Sequence, residues 1–557
     1  MTKLSDSASR GRRTLRGTGA LDRRQLVQGS ALLGAGAAGL LAASPVAAQD
    51  GTPAAPASDR PVLLFGTNAA DVQNLDPHYA SGTQDRTIVD MIFNGLVRFT
   101  PGDSSTFEPD IATELPTATE NEDGTQTWTF TLRDDVQVHA TASSEAYTLT
   151  SADVLFSYQK VSNPDTSSYA GGYAGWTFDA PDPQTFTVTV ESPISETLFL
   201  PQVANYSGGY IVPQQAYEAV SAEAFITNPA GTGPFIFSSY TTQQNVTLAA
   251  NDSYFRGAPQ LGGVEVRFVA EIASRENALL SGDLHVIQGL KEGQWVDTMS
   301  QNEGVTVDAF GVLESVFLNL DVNHEILQDP LVREAILLAT NRENVLAIAG
   351  NVGEPAYSVV PSTQPGGLDE ATANEAGVNF EPNVERAMEL LAEAGHAEGF
   401  ELNLVSSEQE DYLRPYTVLQ EELRQIGVTL NLEVVQHQAM HDLIREGANP
   451  IVIYVAFRPT ADVYLTQFFT TGGGVTNFSH FALDDLVAEA RATTDPDAQA
   501  ELWLQANVEI IQNFAGYGIM GMNQVYARSN SVDYGHELVS VVQLYPGINE
   551  TTTLTEE

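Results

Sequence analysis

The sequence predicts an α/β protein built as two domains or lobes. Three observations carry that expectation. At 557 residues the chain exceeds what one hydrophobic core usually serves. Its second half alternates strand-like and helix-like segments, the pattern of an α/β lobe. Its first half places a strand, a polar loop and a capped helix in residues 128–161. A hydrophobic content of 43% is ample for cores in both halves.

The chain opens with Arg10, Arg12, Arg13, Arg16, Arg23 and Arg24, followed by an uncharged, Ala- and Gly-rich run that ends Ser-Pro-Val-Ala-Ala at Ala48. A basic region, an apolar stretch and small residues at its end predict a cleaved export signal over residues 1–48, too weakly hydrophobic for a membrane span. Asp22-Arg23-Arg24-Gln25-Leu26-Val27 is similar to a twin-arginine signal, with Arg23 and Arg24 as the receptor-read pair. Gly34, Gly36 and Gly39 formally spell a dinucleotide fingerprint, but no strand precedes them. Residues 49–60, rich in Ala, Pro and Thr, read as a flexible leader.

From Pro61 the elements follow in order. Val-Leu-Leu-Phe-Gly at 62–66 is an apolar run closed by glycine, the mark of a buried strand. Asn74-Leu75-Asp76-Pro77 starts a loop, because proline fixes φ and aspartate favours turns. Ile88, Met91, Ile92 and Leu96 predict a helix over 88–97. Trp128, Phe130 and Leu132, then Val136 and Val138, alternate as a strand with one buried face. Thr150 and Asp153 form a capping box for a helix on which Val154, Tyr158 and Val161 share a face. Residues 185–190 and 264–269 read as strands, and the Gly- and Pro-rich 228–235 as a rigid turn. Phe317-Leu-Asn-Leu320 is a strand near which the chain is expected to cross into the second lobe. Asp329 and Pro330 open a helix expected to continue to 343. Ala387, Leu390, Leu391 and Ala394 make an amphipathic helix that Gly395 stops. Strands at 402–405, 430–434 and 451–455 are interleaved with helices through Leu423, over 483–492 and through Trp503 and Ile510. The Thr- and Glu-rich tail at 550–557 is expected to be disordered.

Leu132-Arg-Asp-x-Val-x-Val-His139, followed by Leu149-Thr-x-x-Asp-Val-x-Phe-Ser-Tyr158, resembles the signature region of the bacterial extracellular solute-binding proteins of family 5, the solute-capturing components of ATP-driven peptide importers. Asn228-Pro-Ala-Gly-Thr-Gly-Pro-Phe235, Asn251-Asp-Ser-Tyr-Phe-Arg-Gly-x-Pro259 and Ser281-Gly-Asp-Leu-His-Val286 continue the resemblance. The chain departs from the family pattern at Val138-His139-Ala140, at Asn341-Arg342, and at 458–462, where the family's tryptophan-rich loop has no tryptophan here. The resemblance implies a two-lobed periplasmic-binding-protein (Venus-flytrap) fold, α/β with mixed sheets flanked by helices and an extra N-terminal subdomain. Lobe I would span 61–312 and include that subdomain, lobe II 313–520, and a return to lobe I 521–549. It also implies a monomer without cofactor that captures a peptide or similar extended solute and delivers it to the membrane subunits of an ABC importer. The place of action would be the periplasm or the extracellular face of the cell envelope.

Composition narrows the alternatives. Asp and Glu number 72 against 25 Lys and Arg, a formal charge of −47. Nucleic acid is thereby excluded as a partner, because phosphate neutralisation needs a basic footprint. The acidity reads as solubility. The absence of cysteine excludes disulfides, thiolate metal sites, a cysteine nucleophile and a lipid-modified N-terminal cysteine. No G-x-S-x-G, H-E-x-x-H or Walker loop occurs, so no catalytic residue is assigned and the chain is expected not to be an enzyme. His437 and His441, four apart, supply two metal ligands but not a site, and His139 reads as structural. Two alternatives remain: a secreted glycoside hydrolase using two carboxylates, and a surface protein whose acidity is its purpose.

Resemblance and loop position together give the solute-contact candidates: Asn68, Ala69 and Asp71 after the first strand, Arg458 and Asp462 after the strand at 451–455, and Asn477 and Phe478 before the helix at 483–492. A peptide in such a cleft would add as an extra strand through its backbone. Asp462 would meet its ammonium end and Arg458, with its planar fork, its carboxylate. The alternative for this pair is a helix cap at Asp462 and a solvated loop cation at Arg458.

Overall fold

Two long antiparallel strands set the frame. In the computed structural model, which describes residues 59–476 and 480–555, Val305–Leu320 and Gly516–Ser529 pair along most of their length. They belong to a sheet whose order is Phe235–Thr241, Asn245–Ala250, Gly263–Phe268, Val62–Thr67, Val286–Gln288, Gly516–Ser529, Val305–Leu320 and Ile451–Ala456. Gly353–Pro355 joins Gly516–Ser529 off that path. Val62–Thr67 lies parallel to both of its neighbours, and Leu63 and Phe65 are buried, as its apolar run demands.

The ladder between the two long strands is interrupted. Residues 305–310 pair with 524–529, the register shifts between Phe310 and Glu314, and 314–319 then pair with 516–522. Gly311 sits in the break at φ 68°, a left-handed backbone that a side chain would strain. Residues beyond the break pair with Ile451–Ala456 on their other side.

Buried apolar side chains of the described residues form three clusters. One, around Phe65, Ile88, Val264 and Tyr526, packs the early part of the large sheet against the helix Thr83–Ile92. A second fills a four-stranded sheet ordered Thr117–Glu120, Gln126–Thr131, Thr185–Val190 and Thr177–Asp182, covered by the helix Ser151–Val161. Trp128 and Phe199 stack there with ring centres 4.1 Å apart. The third, around Phe317, Ile336, Leu391, Tyr416, Ile453 and Trp503, belongs mainly to the second half. There Phe400–Ser407 and Val428–Val435 pair in parallel, and the helix Glu410–Arg424 connects them.

Most local signals hold: Thr150 and Asp153 make the capping box, and Gly395 takes φ 85° past the helix Val384–Glu393. Three expectations are corrected. The helix expected over 88–97 is Thr83–Ile92, and Val97–Thr100 is a strand. The buried Asp110 carboxylate takes the Asn94 side-chain amide and the Gly95 N–H, which draws the chain out of the helix. The helix at 330 ends at Ala339, and Asn341 caps a new one, Arg342–Ala349, by accepting the Glu343 amide. The tail is ordered through Thr555: Thr553–Leu554 pairs with Val532–Asp533, and Thr552 is buried and bonded to the Tyr534 carbonyl.

Candidate functional site

Parallel strands end together, and their carboxyl ends leave a crevice where loops diverge. Val62–Thr67 and Val286–Gln288 end side by side here, and the Asn68 amide donates to Gln288 Oε1 at 3.3 Å. Asn68 is exposed and Ala69 half-buried, its amide held by Thr67 Oγ1 at 3.0 Å. Asp71 accepts the Tyr240 hydroxyl at 2.8 Å, which anchors the loop to Phe235–Thr241.

The second half presents a matching edge. Ile451–Ala456 is followed by Phe457 and Arg458. Arg458 is half-buried and held by three contacts: Nε donates to Gln467 Oε1 at 2.6 Å, Nη1 donates to the Phe457 carbonyl at 2.8 Å, and the guanidinium stands 5.2 Å over the Phe468 ring. Burial raises the pKa of the phenols of Tyr412, Tyr454 and Tyr464, and the Arg458 charge draws each back down. Phe457 meets Tyr206 edge to face at 6.1 Å, and Arg86 donates to the Tyr206 hydroxyl at 2.6 Å, so the late loop touches the first half directly.

Beside the ladder break lies a partly buried charge cluster. Lys291 is ion-paired with Glu314, whose Oε2 also accepts from Gln524 Nε2 at 2.9 Å. Burial lowers the Lys291 pKa, but Glu314 and Asp411 together raise it further, so the ammonium stays charged. Burial raises the Asp411 carboxyl, with Lys291 opposing. Arg414 and Glu292 add an ion pair at 2.9 Å. The arrangement offers one held cation, Arg458, amid aromatic rings, and a charge-compensated cluster near the ladder break.

Asn68, Ala69 and Asp71 thus stand on one edge and Arg458 on the other. Asp462 is 4% exposed, in the first turn of the helix Ala461–Phe468, and paired with Arg491 at 3.0 Å; burial raises its pKa, with Arg491 opposing. Asn477 and Phe478 lie outside the described residues, as do Arg23 and Arg24. His139 is buried and bonded to the turn at Gly231 and Gly233. Among the described residues no group of three or more His, Asp or Glu could hold a metal ion, and no helix is long and apolar enough to cross a membrane.

Sequence reasoning missed Lys291, Glu314, Gln524 and Tyr206. One signal was available: the chain has three lysines, and the two beyond the N-terminal segment, Lys160 and Lys291, are both paired with carboxylates, Lys160 buried and Lys291 partly so. A lysine kept in so acidic a chain marks a charge that needs a partner.

The model of "Bacterial extracellular solute-binding proteins, family 5 Middle" matches residues 106–476. The probable D,D-dipeptide-binding periplasmic protein DdpA of Escherichia coli is 25% identical over 485 residues, 85% of this chain and 90% of that protein. The structure of the binding protein MoaA from A. tumefaciens R10, in complex with mannopinic acid, is 33% identical and superposes with a TM-score of 0.76 over 89% of this chain and all of that one. The Helicobacter pylori periplasmic protein DppA, in complex with the peptide STSA, is 21% identical with a TM-score of 0.73 over 89% of this chain and 98% of that one. With its two-lobed fold of mixed sheets flanked by helices, this chain belongs to the bacterial extracellular solute-binding proteins of family 5.

Proposed function

We propose that the protein captures a peptide or similar extended solute between its two lobes, without turning it over, and hands it to the membrane subunits of an ABC importer. The observation that carries this reading is the interrupted ladder between the long strands: the register breaks between Phe310 and Glu314, at Gly311, a place where one half could rotate against the other, with contacts such as Tyr206–Phe457 and Ser195–Gln499 to be remade. On this reading lobe I comprises residues 61–312 with 521–549, and lobe II comprises 313–520. Arg458 faces a carboxylate end, while Asn68 and Ala69, whose amides are held by Gln288 and Thr67, offer their carbonyls to an extended ligand. Arg491 already holds Asp462, so an ammonium end reaches that carboxylate only in exchange for the guanidinium. Residues 1–48, with Arg23 and Arg24, would export the protein to the periplasm or outer cell-envelope face, where it acts as a monomer.

A second reading is an opine-type conjugate of a sugar and an amino acid. It is favoured by the higher identity to the mannopinic-acid-bound structure than to the dipeptide-binding relative. Mass spectrometry of material released on denaturing the purified protein, followed by thermal-shift titration with dipeptides, tripeptides and mannopinic acid, separates the two. Stabilisation by none of them, with turnover on a glycan panel, would instead favour a carboxylate hydrolase.

A further inference from the structure

The helix His437–Arg445 follows Val428–Val435 at the same edge of the second half that carries Arg458. His437 and His441 lie on one face of it, and their Nε2 atoms approach to 3.1 Å. Both rings are held from behind: Nδ1 of His437 meets Ser407 Oγ at 3.0 Å, and Nδ1 of His441 meets the Tyr454 hydroxyl at 3.0 Å. Tyr412 packs edge-on against both imidazoles, at 5.2 Å and 6.0 Å between ring centres. Burial is the largest influence on both rings and lowers both pKa values, that of His441 to about 4, which keeps the pair neutral at neutral pH.

Two readings of the contact differ in geometry. A straight N–H···N hydrogen bond of 3.1 Å, with about 1.1 Å from each nitrogen to its ring centre, would separate the centres by roughly 5.3 Å. They are 4.5 Å apart with the planes at 78°, so at least one of the two nitrogens is turned off the line joining them. Two imidazole nitrogens held about 2.1 Å from one metal, at angles between roughly 90° and 110°, would stand about 3.0–3.4 Å apart, and the observed 3.1 Å falls in that interval.

We propose that His437 and His441 bind one divalent transition-metal ion through their Nε2 atoms. With both ring protons on Nδ1, Ser407 Oγ and the Tyr454 hydroxyl oxygen accept, both Nε2 lone pairs face the metal, and no proton need leave. Imidazole donors suit zinc, copper or nickel rather than magnesium or calcium. The carboxylates of Glu408 and Asp442 offset the cations of Arg445 and Arg458 around the pair. Among the described residues no cluster of three His, Asp or Glu ligands includes these two. Water, or a donor atom of a solute, therefore completes the coordination.

The test is calorimetric titration of the tag-free exported chain with zinc, nickel and copper chlorides in turn, with no solute added. One equivalent is expected to bind with micromolar affinity, and His437→Gln and His441→Gln are each expected to weaken binding at least tenfold while circular-dichroism melting is unchanged. The copper complex is expected to show spin-resonance coupling to two imidazole nitrogens. Absence of binding, or an affinity that survives either substitution, would overturn the proposal, and neither result bears on the solute.

Discussion

His139 and Gly233 are joined by a 2.9 Å hydrogen bond from the imidazole Nε2–H to the glycine carbonyl. The Gly231 amide donates to Nδ1 at 3.4 Å, and the His139 amide donates to the Gly231 carbonyl at 2.9 Å. The turn so gripped lies against the end of the helix Thr83–Ile92, where a side chain on Gly231 would meet the Ile92 carbonyl oxygen at 2.2 Å. Two sequence motifs nearly a hundred residues apart are thus one structural unit.

Replacing His139 by Ala leaves a cavity and removes one of the two side-chain hydrogen bonds on the buried Gly233 carbonyl, the other coming from Asn251. A loss of about 2–4 kcal/mol in urea unfolding is expected. A variant as stable as the parent would show that the turn is held by packing alone.

Acid should expose the same contact. Burial pushes His139 down to about 4 from an ordinary 6.5. Between those values the unfolded chain binds the proton and the folded chain does not, so this group's contribution is complete above pH 6.5 and is lost as the pH falls toward 4. His480 behaves likewise, whereas Asp85, raised to about 6 by burial, works in the opposite direction. The stability difference between the parent and His139→Gln should therefore shrink on going from pH 7 to pH 4.5. The full span for one such group is about 3 kcal/mol. A difference that does not change with pH counts against a neutral His139.

Lys291 and Glu314 are paired and partly buried beside the ladder break. Lys291→Met leaves the partly exposed carboxylate with Gln524 as its remaining partner and should cost about 1–3 kcal/mol. The double change Lys291→Met with Glu314→Leu should recover most of that in the same unfolding assay. If the double variant is no better than the single, the two groups do not act as a pair.

Arg458 and Asp462 separate by affinity. Once a co-purified solute is identified, Arg458→Ala should weaken its binding at least tenfold, about 1.4 kcal/mol. Asp462→Ala should have a smaller effect, because Arg491 already neutralises that carboxylate. Calorimetry showing unchanged affinity for Arg458→Ala would remove Arg458 from the site.

The helix cap at Thr150 and Asp153, the buried strand Val62–Thr67 and the glycine stop at Gly395 were legible because each is decided within a few residues. Two boundaries and the tail were not. Asp110 reaches back to Gly95 to end the first helix, and Val532–Asp533 recruits Thr553–Leu554 into a strand that composition alone reads as disorder. At the candidate site, loop position in the sequence led to Asn68 and Arg458, but not to the charge cluster of Lys291, Glu314 and Gln524.

By itself, the sequence determined the α/β class of the fold, many of its individual strands and helices, and the exclusion of thiol chemistry, and its net charge argued against a nucleic-acid partner. Those follow from local periodicity, composition and net charge. Only the tertiary structure decided that His437 and His441 share both a contact and supporting hydroxyls, that Asp462 is already paired, and that Lys291 sits against Glu314 at the break between the halves. Each of those depends on which distant strands pair, in what register, and on what burial does to the charges they bring together.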